Sequence, residues 1–164
     1  DESDAWALME EAGFEVSLIK ASQPDASMPA LNAVVPAVGA WEHAAEHACK
    51  ILNGEDGTVT VVCLVVVPRS EAIDTPKPDA ETAAADCEKE AARIGRKYGV
   101  RVVSRTERVR DSVLGFLKLL DTERFDLAVV GLGREKDDDY QIASTVGTSL
   151  LQETPCEVVV MRIA

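Results

Sequence analysis

Residues 125–163 read FDLAVVGLGREKDDDYQIASTVGTSLLQETPCEVVVMRI, and this stretch decides the fold. An apolar run ends at Gly131 and Gly133, and an acidic segment follows it. A helix is then predicted over roughly 143–153, with Gly147 at its opening, before a second apolar run begins after Pro155. A buried strand, a glycine turn, a helix and a further buried strand together form the repeating unit of a parallel α/β sheet.

The same alternation continues toward the N-terminus. Strands are predicted over 32–38, 58–67, 100–104, 125–131 and 156–163, and helices over 41–52, 79–98, from Asp111 onward and over 143–153. The valine-rich run 58–67 is typical of a parallel strand that is covered on both faces. Short connections favour right-handed crossovers. We therefore predict a three-layer α/β/α domain around a five-stranded parallel sheet.

The first 30 residues are predicted to form an extension to this domain. They contain a helix over 4–12, a strand over 14–18 and a linker over 23–29. The predicted division is therefore 1–30 for the extension and linker and 31–164 for the α/β domain. Because the sequence begins at Asp1 rather than Met, we expect it to be a piece of a longer chain or a processed protein.

Composition and charge narrow the choice of partners. The 164 residues include 17 basic and 29 acidic side chains, which gives a net charge of −12. This sign argues against nucleic-acid partners and against adsorption to anionic membranes. No apolar run is long enough for direct membrane insertion. The four cysteines form no CxxC pair and lie in apolar patterns, so we expect buried free thiols and a reducing, cytoplasmic location.

Four sequence motifs carry a resemblance to a known family. They are VVPAVGA at 34–40, VVVP at 65–68, FDLAVVG at 125–131 and TPCEVVV at 154–160. With these motifs, residues 31–164 resemble the universal stress protein family. The resemblance implies a Rossmann-like fold of the adenine nucleotide alpha hydrolase type, with strand order 3-2-1-4-5. It also implies a fifth strand, 156–163, that pairs across a homodimer.

In the ATP-binding branch of that family, a glycine-rich segment holds the phosphates. Gly131 matches its first glycine and Gly147-Thr148 its last pair, but Gly133 is displaced by one place and 15 residues separate Gly131 from Gly147 where the family has twelve. The resemblance implies these candidate nucleotide-binding residues: Gly39, Val65, Gly131, Gly133, Gly147, Thr148 and Ser149. ATP or another adenine nucleotide would be the ligand, with Mg²⁺ or Mn²⁺ held at Asp137–Asp139.

Two departures from the family pattern oppose this interpretation. The run Asp137–Asp139 would repel a triphosphate unless a divalent ion bridged them. Val38 and Ala40 stand where the family has an aspartate and a serine, and Val38 offers no hydrogen bond to a nucleoside. The alternative is that the glycines only turn the chain, that Thr145 or Thr148 caps a helix, and that no cofactor is bound.

Two further clusters of polar residues are candidate sites. His43, Glu46 and His47 have the spacing of an inverted zinc-peptidase motif, but the helical wheel turns the histidines toward solvent, and an exposed polar face is the favoured interpretation. The segment 101–110 carries four arginines that would suit an anion, but acidic residues interrupt it and a solvated loop is predicted. We therefore expect no catalytic and no metal-binding residues.

The sequence as a whole favours a non-catalytic, regulatory and dimerising module. The resemblance permits an origin in a larger chain, such as the cytosolic domain of a membrane ion or amino-acid transporter. In that case the membrane domain would be a partner, and the module would lie at the cytoplasmic face. The alternative is a free-standing, cytoplasmic stress protein that binds an adenine nucleotide through the loop between Gly131 and Gly147.

Overall fold

The computed structural model describes residues 2–11, 16–20, 32–52, 56–134, 137–153 and 156–163. Helices and strands alternate along them as the sequence predicts. The helices are α1 (Glu2–Glu11), α2 (Trp41–Leu52), α3 (Pro78–Tyr98), α4 (Ser112–Thr122) and α5 (Asp138–Glu153). The strands are β1 (Val16–Lys20), β2 (Asn32–Pro36), β3 (Thr58–Val66), β4 (Arg101–Val109), β5 (Leu127–Leu132) and β6 (Glu157–Arg162).

The described strands form one sheet in the order β1-β6-β5-β2-β3-β4. Every neighbouring pair from β6 to β4 is parallel, and only β1 is antiparallel to its neighbour. Counted over the five predicted strands, this is the order 3-2-1-4-5. The predicted fold class is therefore confirmed, and the order reverses at β2, between β5 and β3.

Helices cover both faces of the sheet. One core cluster joins α2 and α3 to strand residues such as Ala33, Val35 and Val61. The other joins α4 and α5 to the alternate strand residues, such as Val34 and Val62. Successive strand residues point to opposite faces, so a strand covered on both faces must be apolar at every position. This explains why all six residues of β5 are buried.

The N-terminal helix and strand belong to the same sheet and core. α1 begins two residues earlier than predicted, and β1 lies two residues further along the chain than the predicted strand 14–18. Met9 of α1 is completely buried in the cluster that contains α4 and α5. The predicted linker over 23–29 lies outside the described residues, and the domain division at residue 30 stays a prediction.

The outer edge of β6 is already occupied. β1 pairs with it in antiparallel register from Val16 opposite Arg162 to Lys20 opposite Val158. The resemblance implies that 156–163 is an edge strand, and in this chain it is not one, because the strand of the extension pairs with it. Homodimerisation through 156–163 stays a prediction, and it now requires β1 to leave or to be exchanged between two chains.

Two element boundaries differ from the predictions for identifiable reasons. β4 continues to Val109 instead of ending at Ser104, because this terminal strand pairs on one side with β3 and can expose its charged side chains. α5 begins at Asp138 instead of near Ala143. Asp137 caps it, since its Oδ1 accepts a hydrogen bond from the Tyr140 N–H at 2.8 Å.

Candidate functional site

A crevice lies at the carboxyl ends of β2 and β5, next to the point where the strand order reverses. Open parallel sheets bind ligands at this position. The crevice encloses about 400 Å³. It is lined by the turn after β2, the first turn of α2, the segment after β5 and the start of α5, namely by Gly39, Ala40, Glu42, His43, Gly133, Arg134, Asp137, Asp139 and Ile163.

Gly39 and Gly131 allow two backbone segments to touch beneath this crevice. Gly39 has a φ of +59°, and the next residue, Ala40, donates its N–H to the Gly131 carbonyl at 3.0 Å. A Cβ on Gly39 would lie 2.3 Å from that carbonyl oxygen, and a Cβ on Gly131 would lie 2.2 Å from the Ala40 oxygen. Both glycines therefore serve the packing of the turn on β5, and Gly131 is buried under it.

Gly133 has a different environment. It is half-buried, it lines the crevice, and a Cβ there would meet no atom within 4 Å. Among the candidate residues described by the structure, Gly39 and Gly133 line this crevice. Val65 is buried in β3 and does not.

The structure does not bring Gly147, Thr148 and Ser149 to the crevice. They lie well inside α5, where backbone N–H groups are used by the helix itself. Gly147 faces Trp6 and Val160, whose nearest atoms would lie 3.2 Å from an added Cβ. The predicted helix opening at Gly147 is therefore wrong, and so is the alternative that a threonine caps it. Thr145 and Thr148 donate to the carbonyls of Gln141 and Ser144 within the helix, both at 2.9 Å.

The charges around the crevice are mostly negative. Glu42, Asp137 and Asp139 line it, and among the described lining residues Arg134 is the one arginine or lysine. The start of α5 would attract an anion, but Asp137 already accepts its Tyr140 N–H, and Asp138 and Asp139 fill the first turn. The partial positive charge of the helix is thus satisfied by carboxylates of the chain itself.

Glu46, the acidic residue of the zinc-peptidase spacing on α2, has a structural role. The Tyr98 hydroxyl donates to Glu46 Oε2 at 2.6 Å, and Lys97 Nζ lies 3.4 Å from the same oxygen. These bonds lower the pKa of Glu46, first through Tyr98 and then through Lys97. Glu46 therefore links α2 to α3 through these hydrogen bonds. Within the described ranges, no group of three or more His, Cys, Asp or Glu could hold a metal ion.

The four arginines of the segment 101–110 lie mainly in a strand, so the predicted solvated loop is wrong. Arg105 bonds Glu123 at 2.6 Å and Glu107 at 2.5 Å. Arg108 and Arg110 reach across to the loop that follows β3. Together with α4, this edge of the sheet encloses a second cavity of about 590 Å³. The β-branched residues Val102, Val103, Thr106 and Val109 are the sequence signal that could have identified a strand here.

The cysteines are free thiols, and three of them are buried. Burial raises the pKa of Cys49 to about 11. Cys63 Sγ lies 3.8 Å from Ser104 Oγ, and a hydrogen bond with the Cys87 thiol lowers the pKa of Cys63. The same contact raises the pKa of Cys87. The prediction of buried thiols is correct for these three residues, while Cys156 is half-buried.

Comparison with known proteins identifies the family. The family model described as "Universal stress protein family" matches residues 34–162, which extend from β2 to the end of β6. The chain belongs to the universal stress protein family. No curated protein matches it. Among helices in the part of the chain that the structure describes, none is long and apolar enough to cross a bilayer.

Solved structures agree with this universal stress protein fold. One of them is the crystal structure of a universal stress protein in complex with cAMP. It is 16% identical, the match covers 79% of this chain and 95% of that chain, and the TM-score is 0.55. At this identity the likeness concerns the fold, and the site must be judged from the residues of this chain.

Proposed function

We propose that this universal stress protein domain is a non-catalytic regulatory module that acts by association with other protein surfaces. One observation carries the proposal. α5 begins at Asp138, so the acidic run forms the capped start of this helix at the crevice, while Gly147-Thr148-Ser149 lies inside the helix. The groups that would bind phosphates are therefore replaced by carboxylates at the crevice and used for packing elsewhere.

Isothermal titration tests the proposal with ATP, with ATP plus Mg²⁺ or Mn²⁺, and with cAMP. We expect no heat of binding at millimolar nucleotide, because Glu42, Asp137 and Asp139 face the place of the phosphates. The matched variant is Asp137→Asn/Asp139→Asn, which removes two negative charges and keeps a residue that caps helices well. Weak nucleotide binding by this variant alone would support the electrostatic argument. Micromolar binding by the wild type would contradict it.

Self-association forms the second part of the proposal. Two chains would form a homodimer through β6 once β1 has left it or has been exchanged. Sedimentation velocity should detect more dimer in Ser17→Pro/Leu18→Pro than in the wild type. Successive N–H groups of a strand point to opposite sides, so one of these two N–H groups bonds β6. Proline has no N–H, so the double variant loses this bond and β1 leaves β6 more readily. Ser17→Ala/Leu18→Ala is the control, since it keeps both N–H groups. Equal dimer fractions in the two variants would count against β6 as the interface.

We also propose that the module is part of a larger protein. A regulatory domain that recruits or dimerises suits a larger chain, such as a membrane ion or amino-acid transporter whose cytoplasmic face carries it. The membrane domain would then be its partner. The complete reading frame around these residues tests this. Hydrophobic spans within the same frame would support a transporter domain, and their absence would favour a free-standing cytoplasmic protein.

A nucleotide-binding stress protein is the second candidate function. The crevice supports this second function, because it offers about 400 Å³ at the point where the strand order reverses. Gly133 lines it, and there is open space around that glycine. The solved universal stress protein that holds cAMP has the same fold. A cyclic nucleotide carries one negative charge and is repelled less than ATP. Binding of cAMP without ATP binding in the titration would favour this candidate over the regulatory scaffold.

A further inference from the structure

The cavity between β4 and α4 is separated from the crevice by β3. Its walls are the carboxyl-terminal part of β4 with Arg110 and Asp111, the residues of α4 from Leu114 to Thr122 that lie next to this part, and residues Arg69 and Ile73 of the loop after β3. At about 590 Å³ it has the size of a small-molecule site. None of the candidate nucleotide-binding residues lines it.

The charge of this cavity is opposite to that of the chain. Its lining includes the basic residues Arg69, Arg105, Arg108, Arg110 and Lys118. The acidic lining residues are Glu107, Asp111 and Glu123. Five positive against three negative charges leave an excess of two positive charges in a protein with a net charge of −12.

Not all of these cations are neutralised by carboxylates. Arg105 is paired with Glu107 and Glu123, and Arg108 with Glu81. By contrast, Arg69, Arg110 and Lys118 make no ion pair with any residue that the structure describes. These three side chains are exposed, so their charges are available to an anion that enters the cavity from solvent.

The arginines also fix the shape of the cavity. Arg110 Nη1 donates to the carbonyls of Pro68 at 2.6 Å and Glu71 at 2.8 Å. Arg108 Nη1 donates to the carbonyls of Ile73 at 3.1 Å and Thr75 at 2.8 Å. These bonds hold the loop that carries Arg69, so the cationic wall is positioned before any ligand arrives. Such preorganisation lowers the entropy cost of binding.

Part of the wall is apolar and faces solvent. Leu114 is 66% exposed and Ile73 is 43% exposed. Behind them Gly115 packs closely on Val109, since an added Cβ would lie 2.5 Å from Val109 Cγ1. The start of α4 is not itself the anion site, because Asp111 Oδ1 accepts the Leu114 N–H at 2.8 Å. The cavity thus combines side-chain cations with exposed hydrocarbon surface.

We propose that this cavity binds a small phosphomonoester that carries an apolar or aromatic group. Arg69, Arg110 and Lys118, the lining cations without a carboxylate partner among the described residues, supply donors for the oxygens of a dianionic phosphate. The apolar group covers Leu114 and Ile73. This site is separate from the crevice, so it stands whether or not the crevice binds a nucleotide.

Phenyl phosphate is the probe, and isothermal titration is the measurement. We expect the wild type to bind phenyl phosphate and the variant Arg69→Gln/Lys118→Gln to bind it about tenfold or more weakly, because two charge-assisted contacts are lost. The matched control is Lys50→Gln/Arg96→Gln, which removes the same charge from exposed positions outside the cavity. Its affinity should equal that of the wild type.

A second comparison isolates the apolar contact. Leu114→Ser should weaken phenyl phosphate by about tenfold and leave inorganic phosphate unchanged, because only the ring touches Leu114. Circular dichroism verifies that each variant is folded. Absence of phenyl phosphate binding at millimolar concentration overturns the proposal, and so does equal affinity of the cavity and control double variants. Equal loss of phenyl and inorganic phosphate binding in Leu114→Ser would contradict the role of the apolar wall.

Discussion

Two cavities of this domain use backbone and charge in opposite ways. The crevice at β2 and β5 has glycines and the start of α5, yet Glu42, Asp137 and Asp139 line it and Asp137 caps the helix. The cavity at β4 and α4 has no glycine-rich loop, yet it has the cationic excess. A glycine-rich motif shows only that the backbone can closely approach another group, such as a ligand or a second backbone segment. Whether that partner is a phosphate or another part of the chain depends on the neighbouring side chains.

The largest expected effect concerns the glycines of the crevice. Gly131→Ala should lower the free energy of unfolding by about 3 kcal/mol, because its Cβ would lie 2.2 Å from the Ala40 carbonyl oxygen and backbone would have to move. Gly133→Ala is the control and should change it by less than about 0.5 kcal/mol, since nothing lies within 4 Å of its Cβ. Urea denaturation measures both, and equal losses would show that Gly131 has no special packing role.

The second effect concerns the loop held at the cationic cavity. Arg110→Met should cost about 1–2 kcal/mol of unfolding free energy, because its bonds to the carbonyls of Pro68 and Glu71 are lost. Arg69→Met should cost less than about 0.5 kcal/mol, since Arg69 is exposed and makes no bond to a described residue. Hydrogen exchange of residues 67–75 should accelerate in the first variant only. Unchanged exchange there would mean that Arg110 does not hold the loop.

The third effect concerns the acidic start of α5. Asp137→Ala should destabilise the protein by about 1 kcal/mol, because the Tyr140 N–H loses its acceptor. Asp137→Asn should cost much less, since asparagine caps a helix about as well. Thermal unfolding compares the two variants. An equal loss in both would indicate that the charge of Asp137, and not its capping bond, stabilises the crevice.

The smallest effect concerns the neutralisation of Arg105. A hydrogen bond from Arg105 lowers the pKa of Glu123. A carboxylate with a lowered folded-state pKa stabilises the protein above its unfolded-state pKa, and this contribution is lost as the pH falls through the folded-state pKa. Glu123→Gln should therefore unfold more easily than the wild type at pH 7, and the difference should disappear in acid. Denaturation midpoints at several pH values measure it.

The same variant sharpens the comparison of the two cavities. Without the Glu123 charge the excess of positive charge at β4 and α4 rises, so phenyl phosphate should bind roughly twofold more tightly at pH 7. The crevice should be unaffected, because Glu123 does not line it. Weaker binding of phenyl phosphate by Glu123→Gln would contradict the electrostatic account of the cavity.

Much of the fold was predictable because apolar residues must be covered on each face where they point. The continuous run of β5 and the valines of β3 predicted buried parallel strands, and the structure confirms them. The site was predicted less well. Asp137–Asp139 was interpreted as a loop because three carboxylates in a row are polar, although Asp137 caps α5 and the next two lie in its first turn. A cap residue followed by acidic residues is a helix-start signal that could have corrected this.

By itself, the sequence determined the parallel α/β architecture, the family and the excess of acidic charge, because these depend on periodicity, motif and composition. Only the tertiary structure decided what the special residues touch. It placed β1 on the edge of β6, Gly131 under Ala40, and Arg69 with Lys118 at one cavity. These contacts join residues far apart in the chain, and local patterns carry no information about which distant partner a strand edge, a glycine or a cation will meet.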